Sequence, residues 1–177
     1  MTDIDGQPDL AASLKRVLRH MPAPVGIVTS SDGDTGDPIG LVMSAIMPVS
    51  LDPAAMVVAV HRGGTSHDAI VRSGHYAINL LSSEQARHVE PFLAPGRRDD
   101  RFRAPGWRRH GPTWIIDGAP ASIICTIEQH LSFGTHDLLV GLVRHIVAAD
   151  ETPILGWCNG ALGTHAPLKA GRDHGAC

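Results

Sequence analysis

Apolar positions change their period several times along the chain, and each change predicts an element. Leu10, Leu14, Val17 and Leu18 recur at helical spacing with Lys15, Arg16 and Arg19 opposite them, so a short amphipathic helix comes first. Pro22 and Pro24 stop it. Val25 to Ser30 then reads as a strand that breaks in the Asp- and Gly-rich stretch from Ser31 to Pro38, a hairpin-type connection. Ile39 to Val49 is apolar but interrupted by Ser44 and Pro48, and Met56 to Val60 is a compact run between Asp52-Pro53 and Gly63-Gly64. Two strands are expected there. A helix over Ser66 to Ser73 is expected to be capped by Thr65, with Asp68 three residues on and Gly74 as a left-handed stop. Strand Tyr76 to Leu81 follows, and Ser82 with Gln85 forms a capping box for a helix running towards Leu93 and ended by Pro95-Gly96.

Beyond Gly96 the texture shifts. Arg97 to Gly111 holds six arginines against two aspartates with no apolar period, which predicts a long loop, and loops of that length are usually functional or disordered. Ala121 to Phe133 and Leu138 to Ala148 are long β-rich runs joined by Gly134-Thr135-His136-Asp137, and Pro153 to Trp157 adds one more strand. About six or seven strands and three short helices, with strands adjacent in sequence, fit an antiparallel barrel with peripheral helices better than a doubly wound sheet. Residues 1–13 and 164–177 are expected to be flexible ends around one domain at 14–163.

A chain of 177 residues with 43% hydrophobic content can bury the core of a single domain. A net charge of -3 excludes a non-specific binder of nucleic acid or anionic lipid. No apolar run is long enough for a bilayer span, and Met1 to Leu10 carry three aspartates instead of a basic leader, so no membrane contact and a soluble, cytoplasmic protein are expected. Cys125, Cys158 and Cys177 lack CxxC spacing, which suggests neither a disulfide framework nor a zinc knuckle. Eleven histidines are scattered along the chain, an arrangement that argues against a single metal cluster, and no metal is expected.

The sequence has no GxGxxG, GxxxxGK[ST], HExxH or GxSxG, so a cofactor must be held by other means. In Ile39 to Ser50 the small and hydroxylated residues Gly40, Ser44, Ala45 and Ser50 would let a flat ligand lie against backbone amides; an ordinary barrel strand with a bulge at Pro48 is the alternative. Arg62-Gly63-Gly64-Thr65-Ser66-His67 offers open amides, hydroxyls and a helix start, a candidate phosphate seat that any strand-to-helix turn could also resemble. Arg98 and Arg101 in the basic loop could clamp a phosphate or simply be solvated.

Several segments taken in order resemble one family. LRHMPAPVGIVTS at Leu18 to Ser30, PIGLVMSAIMPVSLDP at Pro38 to Pro53, PVSLDPAAMVVAV at Pro48 to Val60, TSHDAIVRSGHYAINLLS at Thr65 to Ser82 and DRF at Asp100 to Phe102 together are similar to the flavin reductases with the FMN-binding split-barrel fold. The resemblance implies a homodimer of six-stranded antiparallel Greek-key barrels, each binding FMN or FAD near the subunit interface, with NADH or NADPH as electron donor. Many members serve as the reductase component of a two-component flavin-dependent monooxygenase. Carried over to this chain, Met43, Ser44 and Ala45 would line the isoalloxazine, and Ser50 and Leu51 would extend that wall. Arg62, Thr65, Ser66 and His67 would lie near the phosphate, Asn79 on the strand that follows, and Arg101 and Phe102 in a covering loop. His136 matches the histidine of the family's Gly-Asp-His hairpin, where hydride passes.

The chain departs from the family at three places. Thr135 replaces the usual aspartate before the hairpin histidine, leaving Asp137 as the carboxylate available to fix its tautomer. In GWCNGALG, Gly156 to Gly163, Ala161 and Leu162 stand where a basic and an aromatic residue are usual, and His61 replaces a small polar residue. Ala161 and Leu162 fall on the nicotinamide side that the resemblance implies, and with Thr135 they leave two alternatives beside the reductase: a barrel reassigned to a cyclisation or isomerisation, and a non-catalytic flavin-binding protein.

Overall fold

The computed structural model describes residues 9–94, 96–149 and 152–166; the expected loose ends before Asp9 and after Ala166, with Cys177, lie outside the described residues. Helix α1, Leu10–Leu18, begins within the stretch 1–13 and is capped by Asp9, whose carboxylate accepts from the Ala12 N–H at 3.0 Å. None of its residues is buried, so its apolar stripe faces outwards.

The chain continues through β1 (Ala23–Pro24), β2 (Gly26–Ser31), β3 (Pro38–Met43), β4 (Ile46–Leu51) and β5 (Ala54–His61). Next come α2 (His67–Ser73), β6 (His75–Leu80), a 3-10 segment at Ser83–His88 and α3 (Glu90–Leu93). The remainder is β7 (Trp107–His110), β8 (Thr113–Ile116), β9 (Ala121–Phe133), β10 (His136–Ala148), β11 (Leu155–Cys158) and β12 (Ala161–Thr164).

Seven strands form one antiparallel sheet in the order β3-β2-β6-β9-β10-β5-β4. Its two edges, β3 and β4, follow each other in sequence and are joined only by Ser44-Ala45, so the sheet must curl for them to approach. Ile46 Cδ1 lies 2.7 Å from where a Cβ on Gly26 would stand, so the first residue of β4 packs over β2 and a larger residue at 26 would have to displace the tip of Ile46. The enclosed core is built from Val28, Val58, Val60, Ile70, Tyr76, Ile78, Cys125 and Leu139. Gly141 sits against it: a Cβ there would come within 2.5 Å of the Tyr76 hydroxyl. A second core under α3 joins Val25, Ile27, Leu81, Val89, Phe92 and Ile116.

Several expectations need correcting. The apolar stretch from residue 39 to 60 makes three strands, because Ser44-Ala45 breaks it and Met47 to Leu51 pair back onto β5. Thr65 does not cap α2: Ser66 is the N-cap residue, makes no capping bond, and sends its hydroxyl to the Gly40 carbonyl at 3.1 Å. The Arg97–Gly111 segment is not all loop, since it holds a 3-10 turn at Arg98–Asp100 and strand β7, paired with β8. Six strands were expected in the barrel and seven are present, the extra one coming from the β3/β4 division. The Ser82–Gln85 capping box is formed, and Gly74 ends α2 at a positive φ of 68°.

Candidate active site

Strand alternation decides which side chains share a face. In β10, Asp137 and Leu139 are buried and point inwards, whereas His136 and Leu138 point outwards. His136 pairs with His61 of β5, and their rings meet edge to face at 5.1 Å. Two residues along, Leu138 pairs with Ala59, whose N–H donates to the Ala45 carbonyl at 3.2 Å. The Ser44-Ala45 crossing therefore lies next to the outer face that carries His61 and His136.

Asp137 does not take the place of the missing aspartate. One residue further on than His136, it faces the opposite side of the strand, and the group at His136 Nδ1 is instead the Thr135 hydroxyl at 3.0 Å. Asp137 serves other partners. Its Oδ2 accepts from His67 Nε2 at 2.6 Å and from His130 Nε2 at 2.7 Å, and Arg62 Nε stands 4.0 Å from Oδ1. Burial alone would raise its pKa, but the Ser132 hydroxyl and the two imidazoles outweigh burial and hold it down at about 2. For His67, burial works against the charge, yet Asp68 at 2.7 Å and Asp137 raise its pKa above the usual value. Three residues from one barrel end thus converge although they are far apart in sequence, which the scatter of histidines did not suggest.

The remaining expected site residues divide into groups. Met43 and Ser44 line a cavity of about 210 Å³ whose far wall is Trp157 and Leu162, with Val25, Val42, Val89 and Leu93 completing an apolar lining. Ser44 brings the one hydroxyl of that lining. Arg62 and Thr65 are exposed on the loop leaving β5, and the Arg62 guanidinium donates to the Gly134 carbonyl of the hairpin. Ser50 and Leu51 lie at the opposite end of β4, roughly 15 Å along the strand from Ala45. The Ser50 hydroxyl accepts from the Asp52 N–H at 3.1 Å, and Leu51 is 91% exposed.

Ser66, His67 and Asn79 face inwards. The Asn79 amide, with no exposed surface, donates to Ile27 O at 3.1 Å, Thr29 Oγ1 at 3.2 Å and Trp114 O at 3.1 Å. It accepts from Ile116 N at 3.2 Å and Ser122 Oγ at 2.7 Å. Arg101 lies over the Phe92 ring at 5.2 Å and reaches the Gly40 carbonyl at 3.4 Å, where the Ser66 hydroxyl also ends. Its Nε is buried without a hydrogen-bond partner, and burial lowers its pKa. Phe102 packs into an aromatic cluster with Phe92 and Trp107 at 5.7 and 4.8 Å. Arg98 lines a surface hollow with Asp32, Thr35, Asp37 and Phe102.

Trp157 and the apolar wall of the cavity were not among the expected site residues. Their signal was present in the departure at GWCNGALG, but nothing in the spacing places β11 and β12 against Ser44. A flat aromatic ligand with one polar edge matches an apolar slot that has a tryptophan wall and a single serine hydroxyl.

Comparison with known proteins agrees with this architecture. The model of the flavin reductase like domain matches residues 18–166. The chain is 33% identical over 152 residues to the reductase component of flavin-dependent trigonelline monooxygenase from Acinetobacter baylyi; this covers 84% of the chain but only 46% of that relative's length. It is 29% identical to the flavin reductase (NADPH) of Lentzea aerocolonigenes, covering 86% of this chain and 89% of the other. Among solved structures, a homolog of nitrilotriacetate monooxygenase component B from Mycobacterium thermoresistibile superposes with a TM-score of 0.80 at 25% identity, over 94% of this chain and 96% of that one. The curled seven-stranded sheet with its Ser44-Ala45 seam is thus a split barrel, and the chain belongs to the flavin reductase like domain family.

Proposed function

We propose that this chain is an NAD(P)H-dependent flavin reductase that reduces FMN or FAD and supplies the reduced flavin to a partner monooxygenase. The observation that carries the reading is the slot in which Ser44 faces Trp157 and Leu162, next to the outward-facing pair His61–His136, in a chain of this family. One relative's name specifies NADPH and another's a monooxygenase reductase component, and both support this reading. When bound, the flavin accepts hydride from the nicotinamide and becomes the diffusible reductant.

In this reading the Ser44 hydroxyl and the backbone amides of the crossing hold the polar edge of the ring, flanked by Met43 and Ala45. Trp157 and Leu162 exclude water from its apolar part. Arg62 and Thr65, exposed beside the hairpin, take the phosphate end. Arg101, Ser66 and Phe102 act from behind by fixing Gly40, while Asn79 braces the strands. His136 orients the nicotinamide amide, with the Thr135 hydroxyl doing the positioning usually given to a carboxylate.

A homodimer completes the proposal. The outer face of β9, β10, β5 and β4 exposes Phe133 at 81%, Leu131 at 60% and Met47 at 57%, a patch of a kind seldom left in water. A second copy seated there would cover it and close the site on the His136 side. No helix among the described residues is long and apolar enough to cross a membrane. A cytoplasmic setting, where NAD(P)H is available, suits the reaction.

The test is steady-state oxidation of NADH and NADPH against increasing FMN or FAD. Turnover that saturates with added flavin supports a reductase using flavin as a substrate, and turnover at background level for both flavins overturns it.

A further inference from the structure

We propose that His67, His130 and Asp137 form a binding site for one divalent transition-metal ion of the zinc type, with Asp68 as its outer partner. The inference stands apart from the reductase reading, since none of its steps needs flavin.

The geometry that points to it is the convergence of two rings on one oxygen. His67 begins α2, His130 lies within β9 and Asp137 is the second residue of β10, yet both imidazoles turn Nε2 to Asp137 Oδ2, at 2.6 and 2.7 Å. The three candidate ligand atoms lie within 4.8 Å of one another. A tetrahedral zinc with bonds of about 2.0–2.1 Å sets its ligands about 3.3 Å apart, so a small opening admits the ion. His130 can give that opening: its side chain is 37% exposed, at the edge where the ion would arrive.

The donor chemistry selects the metal. Two imidazole nitrogens and one carboxylate oxygen suit zinc or cobalt, whereas magnesium and calcium favour all-oxygen sets. Asp68 adds an independent feature, because its carboxylate accepts from His67 Nδ1 at 2.7 Å. Carboxylate–histidine–metal is the arrangement that orients ligating imidazoles and raises their basicity. Arg62 does not block the ion, since its Nε faces Oδ1, on the other side of the carboxylate. Oδ1 makes no hydrogen bond and has the Arg62 ion pair as its charged neighbour. On binding, the proton between His67 Nε2 and Asp137 leaves to solvent, His67 keeps Nδ1–H for Asp68, and His130 Nε2 gives up its proton so that its lone pair faces the ion. Three protein ligands leave a fourth position for water. The ion would clip the start of α2 to the hairpin that carries His136.

The test is a cobalt titration of the full chain after removal of metals with a chelator and dialysis, followed by competition with zinc. Wild type is expected to bind one equivalent, with the visible absorption of tetrahedral cobalt, displaced by zinc. His130→Ala should weaken binding at least about tenfold, Asp68→Asn should weaken it by about tenfold at unchanged stoichiometry, and His145→Ala, on the distant stacked pair with His110, should leave it unchanged. No saturable cobalt spectrum in wild type, or equal binding by His130→Ala, would overturn the site. Circular dichroism of each variant separates loss of a ligand from loss of the fold.

Discussion

Asn79→Ala tests whether the buried amide on β6 is a brace or a ligand contact. The side chain has no exposed surface and makes five hydrogen bonds that tie β2, β8 and β9 to β6. Some partners survive its removal: the Trp114 carbonyl keeps the bond from the Thr29 hydroxyl. The Ile116 N–H and the Ser122 hydroxyl lose the acceptor found for them, in a site closed to water. At about 1–3 kcal/mol for each stranded buried group, with a small cavity added, the loss comes to about 3–5 kcal/mol. In a chain of this size that corresponds to a Tm roughly 10 °C lower. Urea denaturation and thermal melts measure it, and flavin affinity is read on the variant well below its melting point. Stability lowered by less than about 1 kcal/mol, with flavin binding lost, would refute the brace and make Asn79 a contact.

His136→Ala should lower turnover at least about tenfold, about 1.4 kcal/mol of barrier, with flavin affinity little changed; equal turnover would remove the histidine from the reaction. Phe133→Asp, on the exposed outer face, should shift the protein from dimer to monomer in sedimentation velocity, and an unchanged distribution would place the interface elsewhere. The His67–Asp137 pair predicts a stability maximum between two losses. Asp137, held low, contributes above its ordinary pKa of 3.8, and that contribution disappears as pH falls towards about 2. His67, held high, contributes below its ordinary 6.5, and that contribution disappears as pH rises through its raised value. The gap between the denaturation profiles of wild type and Asp137→Asn should close as pH falls towards about 2 and narrow as pH rises through the raised His67 value; a gap that stays constant with pH would contradict the pair's role.

Strands were legible wherever apolar residues alternated between turn residues, which is why β9, β10 and their Gly134-Thr135 turn match the pattern closely. The division of residues 39–60 into three strands was less legible, because Ser44-Ala45 breaks the chain without glycine or proline. Strand β7 was hidden in the arginine-rich segment, since Arg108 and Arg109 are exposed on a two-stranded hairpin and leave no apolar period. Ser66 looked like a ligand hydroxyl, but the cross-barrel approach of Gly40 takes it. The site was readable as a set of segments and unreadable as an arrangement. Neither the shared cavity of Ser44 and Trp157 nor the meeting of His67, His130 and Asp137 has a local signature, as both depend on elements brought together only by the fold.

Flavin reduction by this chain is tested most directly by anaerobic rapid mixing of purified protein with equimolar FMN or FAD and NADH or NADPH. The flavin absorbance should bleach together with loss of an equal amount of reduced nicotinamide, faster than in a protein-free control by many fold and slowed by His136→Ala. Flavin that binds and stays oxidised with both nicotinamides would contradict the reductase reading.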